Sequence, residues 1–265
     1  MMLGRGLPNL GNTCYLNSIL QCLRYTKEFV YPMKGKRASS ALCVSLLDLM
    51  YSGAEEKVLH TLIKELSKGR EFKLMRQCDA HELFLYLVDK VFEEMKVHNP
   101  FEGKLESNVV CTVCGNNSVT SYPYVTISVQ MGEKAMSVKS LVDEFCKTET
   151  IETPIECELC NTRTKSSKSL RIIPSEVLVI HLKRFVGRQK NYTAVILDEE
   201  LSLGKERYRL YAMCNHSGVP TAGHYTASCM KRDGTWSMCN DAFVQSIGSL
   251  PKSTDRPYIL FYCKI

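Results

Sequence analysis

The sequence predicts an α+β fold, with a helical stretch of roughly a hundred residues followed by a mostly β stretch. Apolar residues recur at helical spacing up to Pro100, and beyond it the apolar runs become short and rich in β-branched and aromatic residues. The two textures do not alternate, which argues against βαβ units. The chain has 265 residues, 45% hydrophobic and 23% charged, close to globular averages, which excludes a disordered chain, a collagen-like fibre and a coiled coil. It holds no run of about 18 apolar residues, and Met1-Met2-Leu3-Gly4-Arg5-Gly6 lacks the apolar stretch of a signal peptide. Lysine plus arginine against aspartate plus glutamate gives 34 − 28 = +6, with no basic run longer than three. No membrane and no nucleic-acid partner is expected from that pattern. Without repeats or low-complexity linkers, residues 1–265 read as a single domain and a monomer.

The elements follow in order. The first helix begins near Cys14, with Tyr15, Leu16, Ile19, Leu20 and Leu23 on its apolar side and the intervening polar residues expected to form a wet face. Further helices are predicted over 42–50, 58–66 and 84–95. Strands are predicted over 124–129, 177–182, 208–213, 225–230 and 258–262. Lys231-Arg232-Asp233-Gly234 carries an Asp-Gly hairpin turn, predicting that 225–230 pairs with 235–240 and that His224 lies opposite Asn240 or its neighbour.

The 13 cysteines are odd in number and irregularly spaced, which argues for free thiols in a reducing compartment, the cytoplasm or the nucleus. Cys14 sits where a Gly/Asn-rich turn enters a helix. Unpaired amides and the dipole there favour a thiolate, although a buried packing cysteine fits the same spacing. The best base among six histidines is His224, at the start of a strand whose hairpin partner ends in Asn240-Asp241. A purely structural hairpin would look the same. Cysteine, imidazole and amide together nevertheless make a Cys-His-Asn nucleophilic set.

Cys111-x-x-Cys114 and Cys157-x-x-Cys160 are separated by 42 residues. Two such knuckles can turn four thiolates toward one zinc ion, and Gly115-Asn116 and Asn161-Thr162 supply the tight turns after them. Four cysteines leave no open position, so the zinc is expected to be structural; a redox Cys-x-x-Cys is the rival reading. At the start of the 84–95 helix, Asp79 and Glu82 fall roughly opposite the core positions and are expected to point outward. The pair reads either as a capping box or as carboxylates for a cationic ligand.

Five segments together resemble the ubiquitin-specific proteases: Gly6 to Ser18 their cysteine box, Gln77-Cys78-Asp79-Ala80-His81-Glu82 the Gln-Asp box, and Gly223-His224-Tyr225 with 236–241 the histidine box. Val179 to Phe185 and Tyr258 to Tyr262 are similar to two further strands. The order matches from about residue 6 to 262. The resemblance implies a papain-like cysteine hydrolase with a helical thumb (about 1–100), β fingers carrying the zinc (mainly 101–175) and a β-rich palm (mainly 176–265). Its substrate would be the bond after the C-terminal glycine of ubiquitin or of a ubiquitin-like modifier. By the same resemblance Cys14 is the nucleophile, His224 the base and later acid, Asn240 the orienting residue, Asn9 the oxyanion donor and Asp241 an assisting group. Asp79 and Glu82 become contacts for the arginine-bearing ubiquitin tail. Many members carry Asp where Asn240 stands, and an amide stabilises imidazolium less. No organic cofactor is expected. A weakly active ubiquitin-binding adaptor is the alternative from another functional class. The other cysteines are read as packing residues, with Cys78 near the surface; His60, His81, His98, His181 and His216 are given structural or solvent roles, and Trp236 anchors the hairpin core.

Overall fold

The computed structural model describes residues 4–51, 56–69, 72, 75–187, 189–220 and 222–265. Thr221, next to the predicted histidine box, lies outside them. Among the described residues the helices are α1 (Cys14–Tyr25), α2 (Lys27–Val30), α3 (Ala41–Tyr51), α4 (Glu56–Ser67), α5 (Ala80–Met95) and α6 (Val138–Cys146). The strands begin with β1 (Gly103–Cys111), β2 (Asn117–Tyr124), β3 (Ile127–Gln130), β4 (Met136–Ser137), β5 (Glu149–Glu156), β6 (Arg163–Ile173), β7 (Val177–Lys183) and β8 (Phe185–Val186). They continue with β9 (Gln189–Lys190), β10 (Val195–Ile196), β11 (Glu200–Leu203), β12 (Glu206–Val219), β13 (Ala222–Met230), β14 (Trp236–Asn240), β15 (Phe243–Ile247), β16 (Ser253–Thr254) and β17 (Pro257–Lys264). No helix among the described residues is long and apolar enough to cross a membrane.

An eight-stranded sheet runs β15-β14-β13-β12-β17-β7-β3, with β11 also on β12. Its central strands are apolar on both faces because both faces are covered. Val177, Val179, Ile259 and Phe261 face the core that α1, α3, α4 and α5 share, while the alternate residues Leu178, Ile180, Leu260 and Tyr262 face a second core closed by α6. Phe84 of α5 meets Phe101 and Phe261 edge-on at 5.2 and 5.4 Å, joining the helices to the sheet. A separate antiparallel sheet, β2-β1-β6-β5, has exposed outer strands β2 and β5 and largely half-buried inner strands β1 and β6.

Three expectations change. α1 has no wet face: all of its residues are buried. Its polar side chains turn to backbone carbonyls instead of water, with Gln21 Nε2 donating to Arg5 O at 2.8 Å and the Arg24 guanidinium to Leu49 O at 3.0 and 2.8 Å. Burial lowers the Arg24 pKa to about 10. The predicted strand over 124–129 breaks, since Tyr124 ends β2 in the exposed sheet and Ile127 begins β3 in the large one. The β13–β14 hairpin turns at Lys231 to Gly234 as predicted, yet Lys231 N also bonds Thr235 O at 2.7 Å. Thr235 thus belongs to the turn, and Met230 pairs with Trp236 rather than with Thr235.

Candidate active site

The approach to Cys14 is built on close backbone contact. A Cβ on Gly6 would stand 2.1 Å from Ala242 O, and Leu7 N donates to Asp241 O at 2.8 Å. Gly11 and Asn12, with φ of 97° and 57°, then turn the chain into α1. Cys14 is the first residue of that helix and only 3% exposed. Burial pushes its thiol pKa up and the Asp241 charge adds to this, against the amides of Tyr225, Tyr15 and Cys14 itself, which pull it down. The helix start therefore does not make Cys14 a thiolate by itself. The Tyr225 amide at the sulfur also places β13 directly beside the α1 N-terminus.

His224 Nε2 lies 2.7 Å from Asn240 Oδ1. An amide oxygen only accepts, so Nε2 carries the proton and Nδ1 is left as the proton acceptor. The β13–β14 ladder ends at Ala227 opposite Cys239. One step further in that register Thr226 would stand opposite Asn240, so His224, two residues before Thr226 on the same face, has Asn240 as its diagonal neighbour. Pairing 225–230 residue for residue with 235–240 would instead set Asp241 opposite His224 and turn Asn240 to the other face.

Asp241, at φ 49°, does not take part in the imidazole bond. Its Oδ2 accepts from Asn9 Nδ2 at 2.9 Å and its Oδ1 from Asn17 Nδ2 at 2.8 Å. Asn9 Oδ1 accepts from Gly11 N at 3.1 Å and Thr13 N at 3.2 Å, so the exposed Asn9 amide is held at both ends with one N–H to spare. Asn17 was not singled out from the sequence. Its only sequence signal is a polar residue one turn after Cys14, which reads as ordinary helix surface.

Asp79 is not turned outward. It is half-buried and caps α5, Oδ1 accepting from His81 N at 2.6 Å and Glu82 N at 3.1 Å, while Oδ2 accepts from the Tyr258 hydroxyl at 2.6 Å. The helical wheel located the residue but not the tyrosine, which is 179 residues away. Glu82 is exposed on the first turn.

Cys111, Cys114, Cys157 and Cys160 bring their sulfurs within 4.8 Å of one another. The Cys111–Cys160 and Cys114–Cys157 separations are 3.9 and 3.7 Å. Zinc–thiolate bonds of about 2.3 Å in a tetrahedron require sulfurs about 3.8 Å apart. Each knuckle is a tight turn, with Gly115 N bonded to Cys111 O at 3.0 Å and Asn161 N to Cys157 O at 2.8 Å, and Gly115 and Asn161 both at positive φ. Backbone amides of Cys160 and Leu159 lower the Cys157 pKa to about 6. The cluster could hold a metal ion.

The family model for ubiquitin carboxyl-terminal hydrolases matches residues 5–262. The chain is 29% identical over 330 residues to ubiquitin carboxyl-terminal hydrolase 8 of Saccharomyces cerevisiae, covering 97% of this chain and 70% of that protein. It is 30% identical over 314 residues to ubiquitin carboxyl-terminal hydrolase 25 of Arabidopsis thaliana, covering 98% of this chain but only 47% of that one. Among solved structures it is similar to the SAGA DUB module of Ubp8, Sgf11, Sus1 and Sgf73 bound to monoubiquitin, at TM-score 0.89 and 26% identity over 100% of this chain and 71% of that one. The same module bound to ubiquitin aldehyde matches at TM-score 0.88 and 25% identity over the same shares. A match from residue 5 to 262, on a fold that brings the helix-start cysteine to the imidazole strand, shows that the chain belongs to the ubiquitin carboxyl-terminal hydrolase family, as a ubiquitin-specific protease catalytic domain.

Proposed function

We propose that this chain hydrolyses the bond after the C-terminal glycine of ubiquitin through a thioester on Cys14. The observation that carries the assignment is the His224–Asn240 bond. It leaves Nδ1 as the proton-accepting nitrogen on the residue just before Tyr225, whose amide lowers the Cys14 thiol pKa. Nδ1 takes the thiol proton as the sulfur attacks the glycine carbonyl, and returns it to the leaving lysine amine. Water, deprotonated by the same nitrogen, then opens the thioester. The spare N–H of Asn9 is aimed at the tetrahedral oxyanion by Asp241. The burial-raised thiol pKa makes this proton transfer a required step rather than a formality.

The acidic start of α5 receives the cationic tail of ubiquitin, with Glu82 exposed and Asp79 held ready by Tyr258. Support for ubiquitin as the modifier comes from the ubiquitin-bound module that this fold matches. Cys111, Cys114, Cys157 and Cys160 would hold a structural zinc, which supplies cross-linking of the exposed sheet and no chemistry at Cys14. A monomer in the cytoplasm or nucleus suits thirteen free thiols, five of which must stay reduced for these roles.

The test is turnover of a ubiquitin C-terminal reporter. Cys14→Ala is expected to abolish it while ubiquitin still binds; wild-type turnover in that variant overturns the assignment. Competitive labelling of Cys14 by ubiquitin and ubiquitin-like electrophilic probes identifies the modifier.

A further inference from the structure

We infer that Gln77 is a positioning residue that sets the imidazole of His224 against the sulfur of Cys14 by standing in for a missing strand on β13, an inference that rests on the assignment of those two residues above. In an antiparallel sheet both backbone polar groups of a residue point to the same neighbour, and successive residues point to opposite sides. On one side, β13 pairs with β12 along its whole length, with Gly223 opposite Gly218. On the other, pairing with β14 begins only at Ala227, so residues 223–226 have an open edge.

Gln77 fills that edge. Its Nε2 donates to Gly223 O at 2.6 Å, and Gly223 N donates to its Oε1 at 3.1 Å. This is the reciprocal pair of bonds that two opposed strand residues exchange, made here by one side chain. Two residues along the same edge, the Tyr225 amide is near enough to the Cys14 thiol to lower its pKa, and β13 packs against α1. Gly223 and Tyr225 are separated by roughly 6.6 Å of strand, at about 3.3 Å per residue, and the residue between them is His224. Whatever shifts the Gly223 peptide therefore shifts the imidazole relative to the sulfur.

The other surfaces of Gly223 leave it little room. A Cβ at this position would stand 2.0 Å from His216 Nε2, and the His216 ring is itself wedged edge-on against Tyr225 and Phe185 at 4.7 and 5.0 Å. Gln77 stands on an anchored base, because Asp79 two residues later is bonded to Tyr258. Gln77 is itself exposed, so replacing it removes two hydrogen bonds and almost no packing.

Gln77→Ala is expected to lower kcat on a ubiquitin C-terminal reporter about tenfold to a hundredfold, the scale of a sub-ångström to 1 Å misplacement of reacting groups, with KM within about twofold. Gln77→Glu provides a second readout. As a carboxylate it opposes Gly223 O; once protonated it donates and accepts as the amide does. Its activity relative to wild type should therefore climb as pH falls from about 8 to about 4.5, where a carboxyl of ordinary pKa about 4.3 is roughly 40% protonated. An unchanged kcat in Gln77→Ala overturns the inference. So does a rise in KM alone, or a Gln77→Glu ratio that stays flat with pH. If His224→Ala keeps wild-type turnover, the assignment of the catalytic pair fails instead; if His224→Ala is inactive and Gln77→Ala behaves as wild type, only the role of Gln77 falls.

Discussion

At the scale of residues, the last residue of β14 and the turn residue after it do different jobs. Asn240 bonds the imidazole, whereas Asp241 reaches back across 232 residues to hold Asn9, and takes Asn17 with its other oxygen. Asn9→Ala is expected to lower kcat about 10²- to 10³-fold by removing one oxyanion donor. Asp241→Ala should lower it through the same route. The double variant should then be no slower than Asn9→Ala alone, and additive losses in that cycle would show that Asp241 acts independently. The helix start at Cys14 and the hairpin carrying His224 and Asn240 were legible because turn residues and apolar periodicity mark them; the catalytic roles came from the family resemblance. The partners of Asn17 and Gln77 were not legible, although the resemblance placed both residues inside its motifs, because a polar residue in a helix or loop gives no sign of which distant group it will meet.

At the scale of elements, the sheet β2-β1-β6-β5 carries the four-cysteine cluster that could hold a metal ion. Strands β2, β5 and β6 bury few side chains, so little apolar burial holds them. The four-cysteine cluster joins the β1 end to the turn after β5. Metal analysis is expected to find one zinc per chain. Cys157→Ser should release it and strip hydrogen-exchange protection from 103–124 and 149–173, while the eight-stranded sheet stays protected. Retained protection in the first two segments would contradict a structural metal. Apolar pattern alone did not mark these long strands, which only the resemblance anticipated as β fingers, because segments such as Glu106-Ser107-Asn108 and Lys165-Ser166-Ser167-Lys168 lack apolar alternation. They are strands because their backbones pair, Ser107 with Leu170 and Asn108 with Ser169.

At the scale of the whole molecule, packing the helices and β7 together buries neutral imidazoles. His81 and His181 stack with ring centroids 3.8 Å apart, each bonded to a hydroxyl, Thr126 and Ser128 respectively. Burial lowers all three inward histidines, His181 to about 3, His216 to about 4 and His81 in the same direction. In the unfolded chain these rings take up protons below about pH 6.5, while in the fold they do not until pH is far lower. Stability is therefore complete above that range and falls as pH drops through it toward the folded values, by at most about 1.4 kcal/mol per pH unit for His181. A urea midpoint that declines from pH 7.5 to pH 5 is expected, and an unchanged midpoint would argue that the rings are solvated. What the sequence determined by itself was local: the helix beginning at Cys14, the Asp-Gly turn, the two knuckles, the cap on α5 and the order of the motifs, all set by period or by neighbours within a few residues. Only the tertiary structure decided the one-residue register that puts His224 and Asn240 on one face, the buried polar side of α1, the Asn9–Asp241–Asn17 clamp and the Gln77–Gly223 bonds. The clamp and the Gln77–Gly223 bonds depend on backbones that pack together across 146 to 232 residues, and the α1 contacts and the hairpin register on partners 16 to 25 residues away; helical or strand period carries no information about either.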